Sequence, residues 1–220
     1  IRVFNQRKDI PKELFNLDLL DGSPPCSSFS MAGNRDKDWG KKKQFREGQA
    51  FQRLDDLVFE YIDTIKLLQP KVALLENVKG LIIGNAKAYA KNMKTAFESA
   101  GYKVQVFLLN AASMGVPQKR ERVFFIGLRN DFALPKLELG FRERTIIADR
   151  VCEKLKINNL TEYEKKIYPF RVKSDNSMSS VLKRVENRVG WFSHSLIHND
   201  NAFPTLLSDS TSKYLWYNYP

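Results

Sequence analysis

Leu57-Val-Phe-Glu-Tyr-Ile-Asp-Thr-Ile-Lys-Leu-Leu-Gln-Pro-Lys-Val-Ala-Leu-Leu-Glu-Asn-Val78 changes its hydrophobic period at Gln69-Pro70. Before that point, apolar residues at Leu54, Leu57, Val58, Tyr61, Ile62, Ile65 and Leu68 keep helical spacing and predict a helix over 52–68 that Pro70 ends. After it, Lys71-Val-Ala-Leu-Leu75 predicts a buried strand closed by Glu76-Asn77. A helix feeding directly into an apolar strand is the repeating unit of an open α/β sheet.

Upstream, Leu17-Asp-Leu-Leu20 is a short apolar run stopped by Asp21-Gly22 and Pro24-Pro25. That is the pattern of a buried strand ending in a tight loop, and the loop carries Cys26. Downstream, Tyr89 to Ala100 reads as a helix capped by Gly101, Tyr102 to Leu109 as a third strand and Val123-Phe-Phe-Ile126 as a fourth. The order is β-α-β-α-β-β, and strands so continuously apolar predict burial on both faces. Ile1 is not an initiator methionine, and Ile1-Arg-Val-Phe4 reads as the tail of a strand already under way, so a trimmed chain is expected. Beyond Asp131 the alternation fades into short mixed-charge segments as far as Asn201, which reads as a second, smaller domain.

With 43% hydrophobic and 12% aromatic residues among 220, the chain can bury a core. A net charge of +11 favours a polyanionic partner, nucleic acid first, and no apolar run approaches the ~20 residues of a membrane span. Two cysteines, Cys26 and Cys152, cannot form a disulfide framework, and no leader opens the chain, so a reducing cytoplasm is expected and Cys26 should be a free thiol. Residues 31–53 hold seven Lys/Arg against three Asp/Glu. Alone, that excess reads as a solvated face; its place beside Cys26 gives it weight.

Reactive groups in open α/β sheets gather outside the carboxyl ends of the strands, where the sequence puts both Cys26 and Glu76. Each alone has a plainer reading, a packed cysteine or a surface glutamate. Gln118-Lys-Arg-Glu-Arg122 sets Arg120 and Arg122 two apart ahead of a strand. They point the same way if the extension begins early, and form an exposed basic turn if it does not.

Pro24-Pro-Cys26 with Phe29-Ser30, Glu76-Asn-Val78 and Gly115-Val-Pro-Gln-Lys-Arg-Glu-Arg122, in that order, resemble the cytosine-C5 DNA methyltransferase family. Leu57-Val-Phe-Glu-Tyr61 and Gln69-Pro-Lys71 extend the resemblance over residues 1–130. It implies an α/β fold, the open sheet of a Rossmann-like class I methyltransferase, with the central and second half present. A catalytic core over 1–130, a target-recognition region over 131–203 and a return segment over 204–220 follow from it. The implied activity is transfer of a methyl group from S-adenosylmethionine to C5 of a flipped cytosine in double-stranded DNA, with no metal.

The chemistry needs these residue types. C5 of cytosine is a poor nucleophile until something adds at C6, and a thiolate does so well; Cys26 is that nucleophile by resemblance. A free thiol with a pKa of ~8.5 needs nearby positive charge, which Arg120 or a following helix can supply. Charge building on N3 and O2 would be met by Glu76 at N3 and N4 and by Arg122 at O2. The stacked base must be flipped out first. Ser30 to about Arg46 corresponds to the family's mobile loop, in which Ser30, Arg35, Lys41, Lys42 and Lys43 are candidate DNA contacts and Gly33 and Gly40 allow movement. Pro25 beside the methyl donor and Leu57 near its adenine are the implied cofactor contacts. Asn77 is expected to tie down the Pro-Cys loop rather than act in chemistry. In the recognition region Arg188, Trp191, Phe192, His194 and His198 are candidate base readers, with Trp191 and Phe192 also readable as core.

The sequence departs from the family at Ser27, where glutamine is usual, and at Arg53, one place off the usual arginine. The family's glycine-rich cofactor loop, its acidic ribose-binding strand end and its closing asparagine motif are not in the sequence; the first two would precede Ile1 and the third would follow Pro220. Two rivals remain open at this point: methylation of transfer RNA, and a non-catalytic or split DNA-binding subunit. A restriction endonuclease or a complementary subunit is a further partner such a protein can have, and a bacterial or phage setting is expected.

Overall fold

The computed structural model describes residues 1–25, 56–84, 86–151, 160–206 and 212–217. Two compact units emerge: Ile1–Leu109 with Glu121–Leu139, and Asn110–Arg120 with Gly140–Pro220.

In the first unit the N-terminal turn of helix α1 (Arg2–Asn5) precedes strand β1 (Leu19–Gly22), helix α2 (Leu57–Leu68), strand β2 (Val72–Val78), helix α3 (Ala86–Ser99) and strands β3 (Tyr102–Asn110) and β4 (Glu121–Arg129). The sheet order is β1-β2-β4-β3. Strands β1 and β2 run parallel, with Gly22 opposite Leu75, whereas β2 and β4 run antiparallel, with Glu76 opposite Phe124 and Val78 opposite Arg122.

Helix α2 stops where the change of period put its end. Gln69 adopts a left-handed φ of 49° and its side-chain amide donates to the Lys66 and Ala100 carbonyls, closing the helix. Pro70 cannot continue the helix, and its carbonyl accepts from the buried Tyr102 hydroxyl at 2.7 Å. Gly101 then turns α3 into β3 at a φ of 99° that other residues rarely adopt.

The core lies on one face of the sheet. Ile65 of α2 and Met93 and Phe97 of α3 pack on Ala73, Leu75, Val123 and Phe125, all essentially inaccessible to water. Each such side chain larger than alanine contributes about 1.5–3 kcal/mol by leaving water. On the opposite face Val72, Leu74, Phe124, Ile126 and Leu128 are only partly buried. The strands therefore alternate instead of being buried on both faces as their apolar sequences predict, because α2 and α3 cover the same side.

Four boundaries also differ from the sequence expectations. Ile1–Phe4 is not the tail of a strand: Arg2 is ion-paired to Asp56, and Asn5 bonds the Glu60 carbonyl and the Thr64 hydroxyl, so the segment winds as a helical turn on α2. Asp21-Gly22 does not stop the first strand but forms its last two residues. Glu76-Asn77 does not close the second, since pairing with Phe124 and Val123 carries β2 on to Val78. The helix expected from Tyr89 begins at Ala86, and Leu54 lies outside the described residues.

In the second unit helices α4 (Ala148–Val151), α5 (Glu162–Ile167) and α6 (Met178–Glu186) accompany a parallel pair of strands, β5 (His194–Ile197) and β6 (Lys213–Trp216). Ile167, Met178, Val181, Leu182, Leu196 and Leu215 form its core. The Asn110–Arg120 segment belongs here because Phe203 bonds the backbone of both Pro117 and Lys119. Among the described residues no helix is long and apolar enough to cross a membrane.

Candidate active site

The parallel register of β1 and β2 fixes what the two strand ends present. Gly22 faces α2, where a Cβ would lie 2.6 Å from the Tyr61 ring. That ring is pinned: its hydroxyl is shared between the carbonyls of Leu20 at 2.8 Å and Leu74 at 3.0 Å, one on each strand. Burial raises the Tyr61 pKa well above the ordinary phenol value, so the group stays a donor. Only glycine at position 22 lets the chain pass over Tyr61 into Ser23-Pro24-Pro25.

The next residues alternate sides. Asn77, 3% exposed, sits on the helix-covered face, and its amide donates to the Pro24 carbonyl at 3.3 Å. Its carbonyl accepts from the Val78 backbone N–H. Of the tie expected between Asn77 and the Pro-Cys loop, the bond to Pro24 is present, and Cys26 lies outside the described residues.

Glu76 sits on the other face with Arg122, its diagonal neighbour on β4. Arg122 Nε lies 2.8 Å from Glu76 Oε1, and its Nη1 donates to the Glu121 carbonyl. Ser23 Oγ donates to the second oxygen of Glu76 at 2.7 Å. Both carboxylate oxygens are therefore engaged, on side chains that remain 21% exposed at Arg122 and 28% at Glu76. Glu121 is occupied elsewhere, by Lys79 at 2.8 Å.

Pro25 and Leu57 line one cavity of about 290 Å³, together with Leu20, Asp21, Ser23, Tyr61 and Thr64. Its wall is largely apolar.

The remaining candidates separate. Strand β4 begins at Glu121, so Arg120 precedes it, is exposed and belongs to the second unit. The alternation that would set it beside Arg122 does not reach it. Cys26, Ser30, Arg35, Lys41, Lys42 and Lys43 lie outside the described residues.

Two of the expected base readers are interior. His194 is bonded to Glu164 Oε1 at 2.8 Å, and His198 Nε2 donates to the Asp175 carbonyl at 2.7 Å. Burial alone would raise the Glu164 pKa; hydrogen bonds from Lys213 and Thr161 and the charge of Lys213 overcome it and hold the carboxyl at about 2. An ionised carboxylate only accepts, so His194 carries its proton on Nε2. Trp191, at a left-handed φ of 52°, stacks on His194 and tilts against Tyr163, packed on the unit's core. Phe192 is not core: it is 73% exposed, as Val189 is at 72%.

Strand order β1-β2-β4-β3 with β4 antiparallel, and an acid and an arginine paired on its open face, define the class: an open α/β sheet of the Rossmann-like class I methyltransferase type. A family model for C-5 cytosine-specific DNA methylases matches residues 1–214, and the chain belongs to that family. It is 35% identical over 173 residues to the orphan methyltransferase M.SPRI of Bacillus phage SPR, covering 78% of this chain and 35% of that protein. It is 36% identical over 167 residues to the Type II methyltransferase M.FnuDI of Fusobacterium nucleatum, covering 72% of this chain and 44% of the relative. The chain thus spans less than half the length of these relatives. A solved structure of an Escherichia coli prophage-encoded protein, assigned as a DNA modification methyltransferase, shares the fold at a TM-score of 0.50 and 16% identity, over 90% of this chain and 63% of that one.

Proposed function

We propose that the protein carrying this chain is a DNA (cytosine-5-)-methyltransferase that modifies a flipped cytosine through a covalent bond between Cys26 and C6. The observation that carries this reading is the three-residue contact of Arg122, Glu76 and Ser23, beside a Pro-Pro-Cys run, in a chain of this family.

Cys26, as thiolate, adds to C6, and the electron density displaced into the ring collects at N3 and O2. Glu76 meets N3 and the exocyclic amine, sharing or giving a proton there. Arg122 has five N–H groups, of which the contacts to Glu76 and Glu121 use two, so the guanidinium can hold O2 while it orients Glu76. Removal of the C5 proton and elimination of Cys26 complete the turnover.

The cavity at Pro25 and Leu57 is near the lower size limit of small-molecule pockets, and its apolar wall fits a nucleoside face. Those two residues would hold S-adenosylmethionine, which when bound supplies the methyl group as an electrophile. Ser30, Arg35, Lys41, Lys42 and Lys43 would meet DNA phosphates. Residues 131–203 would act as the target-recognition region, and the described part of 204–220 pairs through β6 with β5 of the second unit. Exposed Arg188 and Phe192 are the candidates left there for contact with DNA.

Full-length protein incubated with methyl-labelled S-adenosylmethionine and, in parallel reactions, unmethylated genomic DNA or transfer RNA tests the reading. Label at C5 of cytosine in duplex DNA is expected; label only in transfer RNA, or in neither, contradicts it.

A further inference from the structure

Resting on Glu76 as the residue that faces the cytosine, we infer that Ser23 is a positioning residue for Glu76, fixing the carboxylate for the base. A glutamate on a strand has three rotatable side-chain bonds, and one guanidinium contact leaves its carboxylate free to turn about that contact. Ser23 supplies the second point. Its hydroxyl donates to Oε2 at 2.7 Å while Arg122 Nε holds Oε1 at 2.8 Å, so both oxygens are held from opposite neighbours in the sheet order, β1 on one side and β4 on the other. A hydroxyl bonded to a carboxylate is the stronger, charge-assisted kind of hydrogen bond.

The placement of Ser23 is a consequence of register. Leu19 opposes Val72 and Gly22 opposes Leu75, so the next step along both strands sets Ser23 against Glu76 on the face away from α2. Gly22 and the Asn77 bond to Pro24 fix the backbone on either side. Ser23 also lines the cavity of Pro25 and Leu57, so one residue borders both the carboxylate and that cavity. Ser23 itself is exposed, so loss of its hydroxyl is expected to cost the fold little. Threonine can replace it, because a β-branched residue favours the extended backbone that a following proline imposes.

The test uses full-length protein, unmethylated genomic DNA and steady-state methyl transfer, with wild type and Glu76→Ala measured first. Equal rates for those two overturn the role of Glu76, and the inference with it. If Glu76→Ala is defective, Ser23→Ala is expected to lower kcat about tenfold. KM for DNA and for S-adenosylmethionine should stay within about twofold and Tm unchanged, because the bond acts on orientation in the reacting state. Ser23→Thr should recover most of the rate. Ser23→Ala with kcat within about twofold of wild type, a loss confined to KM or Tm, or Ser23→Thr as poor as Ser23→Ala overturns the positioning role.

Discussion

Glu76 Oε1 and Arg122 Nε are 2.8 Å apart across two antiparallel strands, although 45 residues of chain, from Asn77 to Glu121, lie between the two residues. The pair exists because Val78 is registered on Arg122, which sets Glu76 diagonally across from it on the same face of the sheet. Neither residue is deeply buried, so the pair adds little to stability. In the proposed mechanism its value is orientation.

Arg122→Ala should therefore separate activity from stability. Loss of a donor aimed at developing charge costs about 10²–10³ in rate. The expected result is a fall of that order in kcat for methyl transfer, with Tm within a few degrees of wild type.

Gly22→Ala should do the reverse at first, acting through the fold. The added methyl meets Tyr61 at 2.6 Å, and Tyr61 cannot withdraw without giving up its bonds to Leu20 and Leu74. Overpacking of this kind costs about 1–3 kcal/mol, which urea denaturation of the full-length protein would register as a lower midpoint.

Glu164 predicts an acid limb of stability. Its carboxyl is held at about 2 against an ordinary 4.5. A depressed folded-state pKa means that the contribution is complete above the unfolded value and is lost as pH falls from about 4.5 toward 2. Thermal melts of wild type should lose stability through that window. Glu164→Gln should flatten that part of the profile, and at neutral pH it should cost about 3 kcal/mol, because it removes the buried charge that Lys213 faces and turns one of the two acceptor oxygens into an N–H donor aimed at Lys213 or His194.

Phe192 and Trp191 should behave oppositely. Phe192→Ala removes an exposed ring and should leave Tm unchanged while weakening affinity for duplex DNA, read by fluorescence anisotropy. Trp191→Ala removes the ring that stacks on His194 and tilts against Tyr163 and should destabilise the second unit.

Much of the sheet was legible because local and tertiary demands agree there: Pro70 ends α2 and Gly101 ends α3, as the periodicity predicts. What was not legible depends on pairing between distant segments. Glu76 reads as a strand terminator until β4 is seen alongside it, and Ile1–Phe4 reads as a strand until α2 supplies partners for Arg2 and Asn5. Ser23 carries no motif signal, yet writing out the parallel register of Leu19–Gly22 on Val72–Leu75 would have set it against Glu76. The histidines could not be sorted in advance, because Glu164 lies 30 residues from His194 and nothing local announces that they meet.

The central claim is that Cys26 attacks C6 of a cytosine in DNA. Duplex DNA in which cytosine is replaced by 5-fluorocytosine blocks the final loss of the C5 substituent, so full-length protein with S-adenosylmethionine should accumulate a protein–DNA adduct that survives denaturation and maps to Cys26. Cys26→Ser should form none. An adduct that persists in Cys26→Ser, or its absence from wild-type protein on DNA that the same preparation methylates, would contradict the account.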